Sequence, residues 1–211
     1  MIRLAAVLLL LAAACAAEAF PTSSNIIPAA DMLAAGDLRV ELENDGAPRL
    51  FGPDAESYAL LQLGATPRLE VGLDFYSVGS DNHHLFNAKW LAWSEAARRP
   101  AFAVGTMEVG TGYCRTDYAV ATKDVGRGLR LHLGGARCES VNALLLGGEL
   151  QVGPNDYILA DWATWDAGYA SLGVYHQLPG GAAVNLAYAW PNDAESSGLV
   201  LLNISHTFSL R

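Results

Sequence analysis

The stretch that most constrains the fold is the last one, Gly198 to Phe208, which reads GLVLLNISHTF. Val200, Leu202, Ile204 and Phe208 fall on one face with His206 as its polar member, while Asn203, Ser205 and Thr207 fall on the other. That is the period-two alternation of a strand. About ten residues tilted by about 45° are enough to cross a hydrocarbon layer as β-structure. The same alternation runs upstream to Asp37, broken every ten residues or so by Gly, Pro, Asn and Asp. Twelve stretches carry it: Asp37–Asn44, Ser57–Gly64, Arg68–Ser77, His84–Trp93, Ala101–Val109, Tyr113–Thr122, Gly128–Arg137, Asn142–Val152, Tyr157–Thr164, Tyr169–Leu178, Ala183–Trp190 and the closing one. The second and fifth are weaker, which leaves ten as the alternative count; either number is even.

The connections alternate in character. Ala65-Thr66-Pro67, Lys123 to Arg127, Gly153 to Asp156 and Pro179-Gly180-Gly181 are tight, with Ser94 to Pro100 on the same side. Asp45 to Glu56, Ser77 to His83 and Pro191 to Ser197 are longer. There is also an echo: Leu146-Gly147, Gln151, Trp162 and Thr164 recur as Leu172-Gly173, Gln177, Tyr188 and Trp190, one hairpin further on. A soluble β-sandwich shares the alternation but meets water with its polar face. Here only 17% of residues are charged, and the alternate face is rich in Gly, Ala, Ser and Asn. Lipid leaves a β-structure no option but closure, because unpaired backbone groups find no water there. Trp90, Trp162, Tyr188, Trp190 and Phe208 at strand ends suit interfacial aromatic girdles.

The pattern as a whole resembles small bacterial outer-membrane β-barrels, whose closing strand ends on a C-terminal Phe. Here Ser209-Leu210-Arg211 follow Phe208. The resemblance covers nearly the whole chain after the leader and rests on pattern, without a family-specific motif. It implies an all-β, closed antiparallel up-and-down transmembrane barrel at residues 37–211. It also implies contact with outer-membrane lipid and insertion by the barrel-assembly machinery reading the final strand.

The N-terminus fits export. Arg3 precedes an apolar run from Leu4 to Ala14, and Ala17-Glu18-Ala19 offers a cleavage site, so residues 1–19 read as a signal peptide with the mature chain starting at Phe20. Cleavage before Cys15, with lipidation there, is the rival. Removing the signal takes Arg3 and Glu18 and leaves the net charge at −9. An acidic exported chain argues against nucleic acid and against a polybasic lipid-surface binder. Residues 20–36 read as an irregular periplasmic leader because Pro21 and Pro28 exclude a long helix. That leader either lies loose or tucks Ile26 and Ile27 under the barrel.

On the barrel reading the lumen holds Arg39, Glu41, Glu43, Arg68, Glu70, Asp74, Lys89, Arg115, Asp117, Arg130, Glu149 and Asp161. These charges either pair to stabilise a filled interior or line a water-filled passage with a mild preference for cations. The function expected is therefore a passive small-solute pore or a structural membrane protein. A soluble exported β-sandwich binding module is the alternative, and an outer-rim lipid-modifying enzyme a weaker one. Asp81, His83 and His84 carry metal-ligand chemistry, but their spacing is not diagnostic. No nucleophile motif appears, since Ser205 and His206 point to opposite faces. No cofactor, metal or catalytic role is expected. Cys114 and Cys138 are expected to pair: their midpoint is 126, and Gly126 lies in the turn between two strands. Against this, Leu129, Leu131 and Leu133 mark odd positions as outward, while Tyr118 and Val120 mark even ones on the other strand. That phase puts Cys138 in and Cys114 out unless a bulge intervenes.

Overall fold

The computed structural model describes residues 24–210 apart from 47–49, 52–54, 79–80 and 111–113, and no side chain over 76–83. The expected signal, its cleavage site and Cys15 lie outside the described residues. From Asp37 the chain forms β1 (Asp37–Gly46), β2 (Glu56–Thr66), β3 (Leu69–Val78), β4 (Asp81–Trp93), β5 (Ala101–Val109) and β6 (Thr116–Gly126). Then follow β7 (Leu129–Cys138), β8 (Val141–Gln151), β9 (Asp156–Ala163), β10 (Tyr169–Gln177), β11 (Ala182–Pro191) and β12 (Leu199–Ser209). Each of the twelve sequence stretches corresponds to one of these strands, the two weaker ones included.

Each strand pairs antiparallel with its chain neighbours, and β12 closes on β1 in unbroken register from Asp37↔Ser209 to Gly46↔Val200. The barrel therefore has no free edge, which excludes an open sandwich. Its outer surface is apolar: Leu42, Leu73, Phe86, Leu133, Leu172, Val174, Leu186 and Ile204 are all exposed. Aromatics collect at both ends of that belt. Trp90 and Trp93 lie at the end with the tight connections, and Trp162, Tyr188 and Trp190 lie at the end with the longer ones. Exposed Trp and Leu are costly in water and favourable in a bilayer with an aromatic girdle at each interface.

The inward phase on β6 corrects one expectation. Thr116, Val120 and Thr122 are buried and Tyr118 packs among interior residues, so even positions on β6 face in rather than out. On β7 the even positions also face in: His132 and Ala136 are buried, and Leu131 and Leu133 exposed. Tyr118 and Val120 mislead because this lumen has an apolar interior of its own. With both strands in the same phase, the objection to the cysteine pair disappears. Cys114 and Cys138 are joined by a disulfide with their Cα atoms 5.8 Å apart, and β6 and β7 pair Thr116 with Cys138 at that end of the hairpin.

Candidate functional site: the occupied lumen

What fills the barrel is the leader. Ser24, Asn25, Ile27, Ala29, Ala30 and Leu33 are buried, Ile27 to within 1%. The segment is inside the wall, more deeply engaged than a periplasmic strap tucked beneath it. It is not a strand. Among the described residues its backbone bonds to itself at Ser24 N–H to the Ile27 carbonyl, 2.9 Å, and it joins the barrel at Gly36, whose N–H meets the Gly64 carbonyl at 2.7 Å and whose carbonyl accepts from Leu210 N–H at 2.9 Å. A chain without ladder partners must satisfy its amides elsewhere, and here the wall's side chains accept them. Ile26 N–H donates to Asp161 Oδ2 at 2.9 Å and Ile27 N–H to the same oxygen at 3.4 Å. Ala30 N–H donates to Thr122 Oγ1 at 2.9 Å and Leu33 N–H to Glu70 Oε2 at 2.9 Å. Asn25 Nδ2 donates to Ser171 Oγ at 2.9 Å, while Asn25 Oδ1 accepts from Asn185 at 3.0 Å. The Ser171 hydroxyl in turn bonds Asp161 Oδ1.

Apolar packing supports these bonds. Ile27 sits among Ala136, Ala143, Leu145 and Ala163, and Ala30 among Leu91, Ala101, Ala103 and Val120. Small wall residues leave the room. A Cβ on Gly147 would come within 2.8 Å of Ile27 Cδ1, and one on Gly173 within 2.7 Å of Asn25 Oδ1. These are the two glycines that the hairpin echo places at matching positions. Full burial of an Ile side chain contributes about 1.5–3 kcal/mol, so the leader is held by many moderate terms.

Charges pair around it. Arg130 bonds Asp31 of the leader at 2.6 Å and lies 3.7 Å from Glu95. Burial raises the Asp31 carboxyl above its ordinary value, against the pull of Arg130. Arg39 pairs with Glu41 at 2.8 Å and Lys89 with Glu70 at 3.4 Å. His132 is buried between the Thr122 hydroxyl, 2.9 Å from Nδ1, and Glu149, 3.0 Å from Nε2. The Thr122 hydroxyl oxygen also accepts from Ala30 N–H, so one residue of the wall links the leader to His132. Asp31, His132 and Glu149 bring ligand atoms within 4.8 Å of one another, but both ring nitrogens are engaged by protein partners.

Nine of the twelve expected lumen charges therefore belong to the interior: Arg39, Glu41, Glu43, Glu70, Asp74, Lys89, Arg130, Glu149 and Asp161. Three do not. Arg68 lies in the β2–β3 turn and is exposed, because β3 begins one residue later than the alternation indicates. Arg115 and Asp117 bond each other at 2.8 Å with side chains 62% and 55% exposed, since odd positions of β6 face out. His84 lies on the outer surface against Phe75, ring centroids 5.3 Å apart; the side chains of Asp81 and His83 are outside the described residues. Sequence reasoning missed Asn25, Thr122, His132, Ser171 and Asn185, which no motif marks. The paired glycines 147 and 173 were the available signal.

The leader does not fill everything. A cavity of about 320 Å³ lies between it and the long-connection end of the barrel, lined by Asn25 to Pro28 at its floor. Glu43, Asp45, Glu70, Asp74 and Glu108 line its wall, with Lys89 as the one basic residue. Glu108 is there because of a bulge. The β4–β5 register shifts between Phe86 and Ala88, and Glu108 takes φ 61°, so that it and Met107 both face the cavity. A non-glycine residue in that region is strained and is tolerated where surroundings fix it. Asn87 does so, accepting from Glu108 N–H at 3.0 Å.

No family model matches this sequence, and no curated protein does. Solved structures do. The KdgM porin in complex with disordered oligogalacturonate superposes with a TM-score of 0.62 at 8% identity, over 82% of this chain and 99% of that one. The KdgM porin by itself gives 0.61 at 8% identity over the same shares. An outer membrane channel from Pseudomonas putida F1 gives 0.57 at 11% identity, over 90% of this chain and all of that one. At these identities the shared property is the barrel fold.

Proposed function

We propose that this chain is an outer-membrane pore for small solutes, with residues 24–36 as its constriction. The observation that carries the reading is the cavity: a barrel serving only as a structural element has no use for about 320 Å³ of acidic, side-chain-lined space. The apolar belt and the aromatic ends support placement in a lipid bilayer. The fold shared with two porin structures and a channel supports passage. The leader obstructs the lumen but is bound to the wall by side-chain hydrogen bonds and apolar contacts, without a strand ladder. Each such bond contributes about 0.5–1.5 kcal/mol net, or about 1.5–3 to a charged partner. A segment so held can leave without unfolding the wall. The oligogalacturonate of the KdgM complex is a uronate anion; five acidic wall groups against one lysine disfavour an anion here.

Planar-bilayer recording tests the reading. The full chain should show low, intermittent current and a variant lacking residues 24–36 a steady, larger one. Background current from both would refute it and leave a structural membrane protein. Recovery in the outer-membrane fraction, with heat-modifiable migration in detergent gels, checks the location and the closed barrel.

A further inference from the structure

The cavity above the leader has unmet hydrogen-bonding capacity. Asp74 is nine-tenths buried and lines it. Its Oδ2 accepts from Asn87 Nδ2 at 2.5 Å, but its Oδ1 has no hydrogen-bond partner among the described residues. Asp45 Oδ1, on the same wall, is also buried without one. Glu108 is turned inward by the bulge and receives the Thr116 hydroxyl at 3.0 Å. A buried, unpaired carboxylate oxygen is costly, and the cost falls when a cation arrives. The cavity's own lysine does not fill that role, because Lys89 is committed to Glu70 at 3.4 Å.

The lining selects the kind of cation. A chelated metal needs ligand atoms gathered around one point. Among the described residues the one trio gathered within 4.8 Å is Asp31, His132 and Glu149, and it contains none of Glu43, Asp45, Asp74 or Glu108. These four carboxylates come from β1, β3 and β5, and the same lining holds Leu60, Leu85 and Met107. Ammonium groups separated by methylene runs match a lining that combines carboxylates with apolar side chains. A cavity of about 320 Å³ is at the lower end of ligand-site sizes, which suits a short flexible chain.

We propose that this vestibule is a binding site for linear aliphatic polyamines, with Asp74 as the central anchor and Glu43, Asp45 and Glu108 taking the further ammonium groups. The proposal deepens the pore reading by naming its solute class, and rests on that reading only for onward passage.

Isothermal titration of the full-length folded protein in detergent with spermidine tests binding without transport. One saturable site is expected. Asp74→Asn should weaken it about tenfold, the loss of one charge-assisted contact. Hexane-1,6-diol should not bind, and Mg²⁺ at matched ionic strength should not displace spermidine. If Asp74→Asn fails to give the heat-modifiable folded band, Glu108→Gln is read in the same way. No saturable heat, affinity unchanged in the folded variant, or stoichiometric displacement by Mg²⁺ would each overturn the site. Binding without bilayer current retains the site and sinks the pore, whereas current without binding does the reverse.

Discussion

Asp161→Ala should release the leader while leaving the wall intact. Asp161 is 5% exposed, and its Oδ2 holds the amides of both Ile26 and Ile27. On the barrel side its carboxylate bonds the Ser171 hydroxyl, and that hydroxyl keeps Asn25 Nδ2 at 2.9 Å when Asp161 is gone. Hydrogen bonds to a charged acceptor contribute about 1.5–3 kcal/mol each. The 2.9 Å bond counts in full and the 3.4 Å bond for less, while alanine removes the cost of burying a carboxylate. A net loss of about 2.7 kcal/mol moves the docked-to-undocked ratio about a hundredfold. Hydrogen exchange read by mass spectrometry on the peptide holding Ile26, Ile27 and Ala30 measures that ratio directly. Faster exchange there, unchanged exchange in β6–β9 and a longer open time in bilayers are expected. Protection and current equal to those of the parent protein would show that Asp161 does not anchor the leader.

Three further outcomes follow from the geometry. Mass spectrometry of unreduced, alkylated protein should show neither Cys114 nor Cys138 modified; reduction should cost roughly 3 kcal/mol by the chain-entropy model for a closed loop of this size, seen as a lower unfolding midpoint in urea. Phe208→Ala should reduce the folded, membrane-inserted fraction on heat-modifiability gels, because Phe208 pairs with Leu38 at the closing seam and its ring lies 4.3 Å from that of His206. Acid should tighten leader docking through Asp31. Its carboxyl is raised in the docked state, so the docked form holds the proton more firmly. That contribution is complete below the ordinary carboxylate range and is lost as pH rises through the raised value. Arg130, His132, Glu149 and Lys89 surround Asp31; Asp31→Asn should abolish that part of the pH dependence of exchange in the leader, and an unchanged slope would reject the assignment.

The alternation of residues 37–209 determined the wall by itself. Period-two patterning is a local property: each of Leu69, Val71, Leu73 and Phe75 reports its face from its own neighbours, and a turn residue every hairpin fixes the antiparallel order. Closure follows from the same pattern once both faces are compared, because too few charges are present to wet an open sheet. Three lumen assignments failed at the ends of strands, where a residue falls in the turn instead of the strand, as Arg68 does, or where inward apolar residues such as Val120 mislead the phase, as at Arg115 and Asp117. The contents of the barrel were not legible in this way. Residues 24–36 have no periodicity, because a segment threaded through a lumen meets a different strand every few residues. Ile26 meets β9, Ala30 meets β6 and Leu33 meets β3. Asp74 and Glu108, distant in sequence, share Asn87 only because β3, β4 and β5 lie side by side with a bulge between the last two. Which face a residue takes is decided within its own strand; which cavity it lines is decided by the strands beside it, and only tertiary structure contains that.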